Sequence, residues 1–270
     1  MAAIAKIGRD MAKLSDKPLT QSDIKDFVET QDDFGLELAI YSHCRDLGFE
    51  VSHGGSYVDR VTGKTRQYDV RAIAVAKNQI RHFMSIECKC LGDSFPLLVS
   101  RIPRLSSESY QESIAPPGIV GTTHNVHPSV TKLGIEDLRY PPNAYVGKSI
   151  VQVGKTEAGN FSSNNAEIYD KWGQALSSAH ALVGEAMDGK YSASPRKQVV
   201  VPILVVSDGT LWVADYSENG TLQTDPTQAD HAHFYVGEEY TWGVGWKYKI
   251  SHLHIFTKSG AKEYFKSLIA

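Results

Sequence analysis

The chain has 270 residues, of which 41% are hydrophobic and 22% charged, and this balance is typical of a folded globular protein and excludes a disordered or collagen-like chain. The net charge of −3 excludes a polybasic nucleic-acid binder whose affinity comes from bulk charge. The longest apolar run, residues 199–206, is far shorter than the roughly 20 residues of a membrane-spanning helix.

Residues 1–14 carry charged residues among small apolar ones and lack the apolar core of a secretory signal, so we expect a cytoplasmic protein with no membrane partner. We expect residues 1–32 to form an N-terminal helical extension and residues 33–270 to form a single α/β domain. Cys44, Cys88 and Cys90 have neither zinc-type nor disulfide-scaffold spacing, which indicates reduced, structural thiols.

The first half of the chain begins with a helical pattern. Apolar residues recur close to the 3.6-residue period and Gly48 follows as a stop, which predicts a helix over 33–47. A short strand is predicted over 49–53. Two apolar, β-branched segments, 67–76 and 80–91, are separated by a polar triplet and predict an antiparallel hairpin.

The amino-acid composition changes at the start of the second half. Residues 92–165 hold seven of the eleven prolines, and we expect a long loop-rich insertion there with brief strands at 95–102 and 145–153. A helix is predicted over 166–187. The run 199–206 predicts a strand buried on both faces, with 211–216 as its hairpin partner.

A last strand is predicted over 248–257, and Ser259 is expected to cap a C-terminal helix that begins at residue 260. The order of elements predicts an α/β fold with a mixed central sheet flanked by helices.

The hairpin brings charged side chains together. If Asn78 is the centre of a three-residue loop, Asp69 lies across from Glu87, with Cβ atoms about 4.5–5.5 Å apart. The alternation of side chains puts Lys89 on the face of Glu87. Two carboxylates this close repel unless a cation lies between them. Mg²⁺ is the natural occupant of such an oxygen site, and Mn²⁺ is an expected substitute.

These residue types suit the hydrolysis of a phosphodiester. That reaction needs an oxygen-bound metal ion to acidify a water and a nearby cation to position it. We therefore predict that Asp69 and Glu87 bind the metal and that Lys89 assists the water. The alternative interpretation is a structural cluster of ion pairs.

At Tyr68-Asp69-Val70 and Glu87-Cys88-Lys89 the sequence resembles the PD-(D/E)XK nuclease superfamily, in which an acid on one strand faces an acid-x-Lys triplet at the end of the next. The resemblance covers about 33–91 and 166–215. It implies a restriction-endonuclease-like fold and metal-dependent endonuclease activity, on DNA more than on RNA. It further implies that Glu37 on the preceding helix helps to hold the metal or the water and that Gln174 on the following helix orients the site.

A basic stretch surrounds these motifs. Between residues 59 and 90, seven basic residues stand against three acidic ones, so this region is expected to face a phosphate backbone. Lys64, Arg66 and Arg71 are its candidate contacts, although a salt bridge from Arg71 to Asp69 or Glu87 is an equally open interpretation. A symmetric homodimer would suit the cutting of both strands of a duplex.

Other functions stay open at this point. The main alternative is a catalytically inactive protein of the same fold that binds nucleic acid or serves as a subunit of a complex. A phosphoesterase acting on small substrates is another. The motifs His231-Ala232-His233 and His252-Leu253-His254 would suit a zinc site, but no cysteine pair completes one, so surface or hydrogen-bonded histidines are the favoured interpretation.

Overall fold

A computed structural model of the protein describes residues 16–59, 62–120, 123–125, 127–134, 137, 139–164, 166–188, 197–243 and 245–270. Its α-helices are α1 (Gln21–Thr30), α2 (Phe34–Asp46), α3 (Ala166–Met187) and α4 (Lys258–Ile269). Its strands are β1 (Glu50–His53), β2 (Ser56–Val58), β3 (Thr65–Gln67), β4 (Val70–Val75), β5 (Ile80–Lys89), β6 (Leu97–Pro103), β7 (Glu112–Ala115), β8 (Gly118–Val120), β9 (Thr123–Asn125), β10 (Ser129–Lys132), β11 (Tyr145–Lys155), β12 (Phe161–Asn164), β13 (Lys197–Val206), β14 (Leu211–Asp215), β15 (Thr227–Gln228), β16 (His231–Trp242) and β17 (Trp246–Thr257).

A large mixed sheet organises the part of the chain that the structure describes. Its main path runs β1-β4-β5-β13-β17-β16-β11-β6-β14-β15, with further strands attached at its side. Strands β5, β13 and β17 are parallel to one another, whereas β1, β4 and β5 form an antiparallel meander. The expected α/β class with a mixed central sheet is confirmed.

Helices cover both faces of the central strands. Alternate residues of β13 point to opposite faces, so Val201 and Ile203 pack with α2 and α4, while Val200 and Leu204 pack on the side of α3. Nine of the ten residues of β13 are buried, which explains why its sequence is an almost continuous apolar run.

The local predictions around the hairpin are confirmed. Helix α2 lies within the predicted 33–47, and α3 has the predicted bounds. Strands β4 and β5 pair with Val70 opposite Ile86 and Val75 opposite Arg81, which is the register that a loop centred on Asn78 requires. Gln79 takes a positive φ in that loop, and the N–H of Ala76 donates to the carbonyl of Ile80.

The expectation that residues 92–165 are largely loops is wrong. The segment carries strands β6 to β12, and β6 and β11 form seven paired positions inside the main sheet. Strand β6 also pairs with β14, more than 100 residues further along the chain. The brief strands predicted over 95–102 and 145–153 are confirmed as β6 and β11, whereas the other strands of the segment have only three or four residues each and give a weak local signal.

Two predictions near the C-terminus are also wrong. Strand β13 does not form a hairpin with 211–216, because β5 and β17 already occupy both of its edges; β14 pairs instead with β6 and β15. Helix α4 begins at Lys258, and its cap is Thr257, whose hydroxyl accepts the N–H of Gly260. Ser259 contacts Asp208 instead.

The N-terminal helix α1 lies in the part predicted as a helical extension, but residues 1–15 lie outside the described part of the chain. Helix α1 has no buried residue, and its cap is Thr20, whose hydroxyl accepts the N–H of Asp23. Across the described residues, no helix combines the length and the apolar character needed to cross a bilayer.

Strands β6, β11 and β16 approach one another closely at Gly147, so a larger side chain at this position tests their packing. A Cβ added there would lie 2.6 Å from Val99 Cγ1 and 2.9 Å from Phe234 Cδ2. We therefore expect Gly147→Ala to lower the free energy of unfolding by about 1–3 kcal/mol, as overpacking does. Chemical denaturation measures the change.

Gly173 in α3 provides the matched control, because no atom lies within 4 Å of its added Cβ. Gly173→Ala is expected to raise the free energy of unfolding by up to about 1 kcal/mol through helix propensity. An undiminished stability of Gly147→Ala would contradict the packing of β11 between β6 and β16.

Candidate functional site

The carboxylates of Asp69 and Glu87 lie at the same end of the β4–β5 hairpin. Asp69 immediately precedes β4, and the pairing of Val70 with Ile86 puts it across from Glu87. Its side chain is held by the strand itself, because the backbone N–H of Cys88 donates to Asp69 Oδ2 at 2.8 Å. The structure therefore brings together the two acids that the hairpin register predicts.

Glu87 is an unusual carboxylate because it is completely buried. Its exposed fraction is 0%, and neither carboxylate oxygen has a hydrogen-bond partner in the structure. Burial raises the pKa of Glu87 well above its ordinary value, and the neighbouring charge of Asp69 raises it further. A buried polar group without partners is costly, so this position calls for a functional explanation.

The cation nearest to these acids is Lys171 of α3. Its ammonium lies 3.0 Å from Asp69 Oδ2, 3.9 Å from Glu87 Oε2 and 3.6 Å from a third carboxylate, that of Asp33. Burial lowers the pKa of Lys171, but the attraction of Asp69 and the other acids outweighs this effect and raises the pKa overall. An ammonium thus provides positive charge next to the carboxylates, where the sequence predicted a divalent ion.

Asp33 links this group to Lys89. Asp33 is the residue before α2, yet its carboxylate does not cap the helix; Oδ1 accepts the backbone N–H of Cys90 at 2.7 Å. Its Oδ2 lies 3.5 Å from the ammonium of Lys89, which is also 3.9 Å from Glu167. We name Asp33, Asp69, Glu87, Lys89 and Lys171 the strand-end cluster.

Glu37 and Gln174 border this cluster from two helices. The Oε2 atom of Glu37, on α2, lies 3.0 Å from His53 Nε2, at hydrogen-bonding distance. Burial, and after it the charge of Asp69, raises the pKa of Glu37. The backbone carbonyl of Gln174 accepts a hydrogen bond from Tyr57, and its side chain lines a cavity with Arg66. Within the described residues, no hydrogen bond joins the Gln174 side chain to Asp69 or Glu87.

The basic candidates have different surroundings. The guanidinium of Arg71 donates to Ser178 and pairs with Glu185 at 3.2 Å, both on α3, so the alternative of a salt bridge to Asp69 or Glu87 is wrong. Arg66 pairs with Asp59 at 2.9 Å and stays partly exposed, and Lys64 is exposed on the same β2–β3 hairpin.

Asp33 and Lys171 were not among the residues predicted from the sequence. Asp33 has the position of an ordinary helix cap, and only the tertiary structure turns it towards the end of β5. Lys171 lies three residues before Gln174 and seven before Ser178, so the helical period places all three on one face of α3. That spacing was the available signal for Lys171.

The thiols behave as expected of structural cysteines. All three are free, and Cys44 and Cys88 are completely buried. Burial raises the pKa of Cys44 to about 12 and that of Cys88 well above its ordinary value, so these thiols stay protonated at neutral pH.

The histidines on β16 and β17 form a second group, which we name the histidine cluster: His231, His233, His252 and His254. His252 and His254 are buried and hydrogen-bonded, as the favoured interpretation of surface or hydrogen-bonded histidines allows. Burial lowers the pKa of His231 to about 4 and that of His254 well below its ordinary value. Among the described residues, His231, His233 and His254 are the one group of three potential ligands whose donor atoms all lie within 4.8 Å of one another.

Comparisons of the chain with protein-family models, with curated proteins and with solved structures found no match.

The burial of Glu87 predicts a specific dependence of stability on pH. The folded-state pKa lies above the ordinary value of 4.5, so the native state holds a proton that the unfolded chain has released. The free energy of unfolding of the wild type should therefore fall as pH rises from 4.5 towards the raised pKa. Glu87→Gln should remove this fall and be the more stable protein at neutral pH.

Urea titrations between pH 4.5 and 8, with a chelator present, test this difference. Asp208→Asn, which alters an exposed carboxylate beside Ser259, is the control and should keep the wild-type slope. Parallel pH profiles for the wild type and Glu87→Gln would contradict the assignment of a proton to Glu87.

Removal of the Lys171 ammonium, unlike removal of the Glu87 carboxylate, is expected to lower stability at neutral pH. Lys171→Met leaves Asp33, Asp69 and Glu87 without their shared ammonium, and breaking a partly buried ion pair in this way costs on the order of 3 kcal/mol. The loss should shrink as pH falls, because protonation of the acids removes their repulsion. Thermal and urea unfolding at pH 7 and pH 5 measure both effects.

Lys266→Met is the matched control, because Lys266 pairs with Glu263 on the exposed face of α4 and should leave stability little changed. Equal stability of Lys171→Met and Lys266→Met would show that the ammonium of Lys171 is dispensable.

Proposed function

We propose that this protein is a metal-dependent nuclease that hydrolyses phosphodiester bonds, with DNA as the expected substrate and the strand-end cluster as its active site. The observation that carries the proposal is the completely buried carboxylate of Glu87 across from Asp69 at the end of two paired strands. A packed interior tolerates such a pair poorly unless its charge has a use.

The placement of Glu37, the third carboxylate that the resemblance implies, supports the proposal. Glu37 lies on the helix before the hairpin and is close enough to Asp69 for the latter's charge to raise its pKa. Gln174 lies on the helix after the hairpin, one turn from Lys171. This arrangement agrees with the resemblance to the PD-(D/E)XK superfamily, in which a restriction-endonuclease-like fold holds such residues.

The donor atoms fit Mg²⁺ chemically. Asp69, Glu87 and Glu37 offer carboxylate oxygens, which are the ligands that Mg²⁺ prefers, and the ion-pair partner of Glu87 is the Lys171 ammonium, 3.9 Å from Oε2. Because the Lys171 ammonium lies 3.0 Å from Asp69 Oδ2, an ion bound by Asp69 would compete with it. When bound, the ion would neutralise phosphoryl oxygens and acidify a water.

Positioning of the water, neutralisation of the acids and contact with phosphate would fall to other side chains of the protein. Lys89 supplies a positive charge at the end of β5 for positioning the attacking water, and Asp33 holds that ammonium in place at 3.5 Å. Lys171 offsets the repulsion between Asp69 and Glu87 in the free protein. Lys64 and Arg66 remain the candidate phosphate contacts, since Arg71 is engaged by Glu185.

A cavity beside Lys89 offers room for a substrate. It has a volume of about 580 Å³, and its lining includes Phe27 and Thr30 of α1 together with Gly92 and Phe95. A larger cavity of about 750 Å³ along α3 is lined by aromatic residues such as Trp172 and Tyr240, but it contains no member of the strand-end cluster. We assign the substrate to the smaller cavity because a member of the cluster lines it.

The main rival function is that of a catalytically inactive subunit that binds nucleic acid. It is favoured by one observation, namely that Lys171 already provides the acids with positive charge without any metal. Mg²⁺ binding separates the two functions. The nuclease proposal expects Mg²⁺ to raise the melting temperature of the wild type but not that of Asp69→Asn, whereas the rival expects no effect on either protein.

Cleavage assays test the proposal directly. Purified protein is incubated with supercoiled plasmid, linear duplex, single-stranded DNA and RNA, in Mg²⁺, in Mn²⁺ and in chelator. We expect metal-dependent cleavage of DNA that Lys89→Ala lowers by about 100-fold or more, because a charge that stabilises the transition state is lost. Asp69→Asn should abolish it.

The sequence supplies a matched control in Asp23-Ile24-Lys25, which has the same acid-x-Lys spacing on the exposed helix α1. Lys25→Ala should cleave like the wild type. Full cleavage by a folded Lys89→Ala protein would overturn the assignment of Lys89, and cleavage that persists in chelator would overturn the requirement for a metal.

A further inference from the structure

The histidine cluster lies on the face of the sheet opposite to the strand-end cluster. His233 is paired directly with His254 across β16 and β17, and His231 lies two residues from His233 on the same face. Phe256 and Tyr264, which pack around these rings, belong to the side of α2 and α4. The acids, in contrast, lie on the side of α3, so the two groups are separate sites.

The donor atoms of three of these histidines converge. Ring nitrogens of His231, His233 and His254 all lie within 4.8 Å of one another. Two buried nitrogens, His231 Nε2 and His254 Nδ1, have no hydrogen-bond partner. Three nitrogens bound to one zinc ion at about 2.1 Å would lie roughly 3.4 Å apart, so small side-chain rotations bring this group to bonding distance.

The surroundings orient the rings as a metal site requires. Tyr140 Oη lies 2.7 Å from His254 Nε2, and this hydrogen bond leaves Nδ1 as the unpartnered nitrogen of the ring. In the tautomer in which Nε2 donates its proton to Tyr140, the lone pair of Nδ1 is available to a metal ion. His231 stacks on Phe256 with ring centroids 4.5 Å apart, which limits its rotation. His231 and His233 are half-buried as whole residues, whereas His231 Nε2 and His254 Nδ1 are buried.

The fourth histidine has a different role. Both nitrogens of His252 are occupied, since Nδ1 contacts Ser251 Oγ at 2.9 Å and Nε2 accepts from Arg104 Nε at 3.2 Å. His252 therefore packs beside the group without offering a free donor.

The donor set also decides the class of ion. The group consists of imidazole nitrogens and contains no carboxylate. Mg²⁺ and Ca²⁺ prefer oxygen ligands, whereas zinc and related transition-metal ions bind imidazole strongly. The buried guanidinium of Arg104, 3.4 Å from His233 Nδ1, repels every cation, so an ion must bind imidazole strongly to occupy this group.

We propose that His231, His233 and His254 form a binding site for a zinc-class transition-metal ion, independent of the proposed nuclease site.

The test is calorimetric titration of metal-free protein with ZnCl₂, together with visible absorption spectra of the protein loaded with Co²⁺. We expect one tight zinc site per chain and the intense visible bands of tetrahedral Co²⁺ bound to nitrogen. His233→Gln and His254→Gln should each weaken zinc binding by more than about 100-fold, and Tyr140→Phe should weaken it by about 10–100-fold through loss of the partner of His254.

Two controls make the result specific. His252→Gln alters a neighbouring imidazole whose nitrogens are already occupied, and it should keep zinc affinity within a few fold of the wild type. Asp69→Asn should keep it as well, which distinguishes this site from the strand-end cluster.

The Co²⁺ spectrum needs only the wild-type protein, so the proposal stays testable if a histidine variant fails to fold. Absence of stoichiometric zinc binding, a Co²⁺ spectrum of octahedral oxygen coordination, or zinc binding that survives His233→Gln and His254→Gln would each overturn the proposal.

Discussion

The parallel pairing of β5 with β13 is the constraint on which the rest of the structure depends. It runs over ten residue pairs, from Lys197 opposite Ile80 to Val206 opposite Lys89. Parallel strands need a crossover between them, and the chain makes this crossover through a long segment that ends in α3. Helix α3 is thereby packed against β5 and β13, and Lys171 is brought to the carboxylates at the end of the hairpin.

This packing also explains the electrostatics of the strand-end cluster. Glu87 is buried because α3 covers the face of β5 on which it lies, and the same helix supplies the ammonium that lies between Glu87, Asp69 and Asp33. The cost of burying one acid is thus partly offset by the element that buries it. The stability of a site in which buried acids are offset by one ammonium depends strongly on pH, on a bound ion and on the loss of one charged partner.

The two faces of the central sheet carry different kinds of polar side chain. Its α3 face presents carboxylates and ammonium groups at the end of β5, and its α4 face presents imidazoles on β16 and β17. Oxygen donors on one face and nitrogen donors on the other suit different classes of metal ion. Alternation along single strands creates this division: Leu253 packs on the α3 side, while its neighbours His252 and His254 lie in the histidine cluster.

The sequence by itself determined the features that rest on local patterns. The period of α2 and α3, the turn centred on Asn78 and the register that opposes Asp69 to Glu87 all follow from neighbouring residues, because helices and tight hairpins satisfy their hydrogen bonds within one segment. The buried character of β13 was visible in its apolar run for the same reason.

Only the tertiary structure decided the rest. The pairing of β6 with β14 and that of β11 with β16 depend on contacts between segments that are distant in the sequence. Asp33 and Lys171 likewise joined the cluster through the packing of α2 and α3: the helical spacing puts Lys171 on the face of Gln174, but only the packing brings that face to the acids. Contacts between distant segments depend on burial and charge over the whole chain. The pattern of residues within one short segment therefore does not predict which distant side chains will meet.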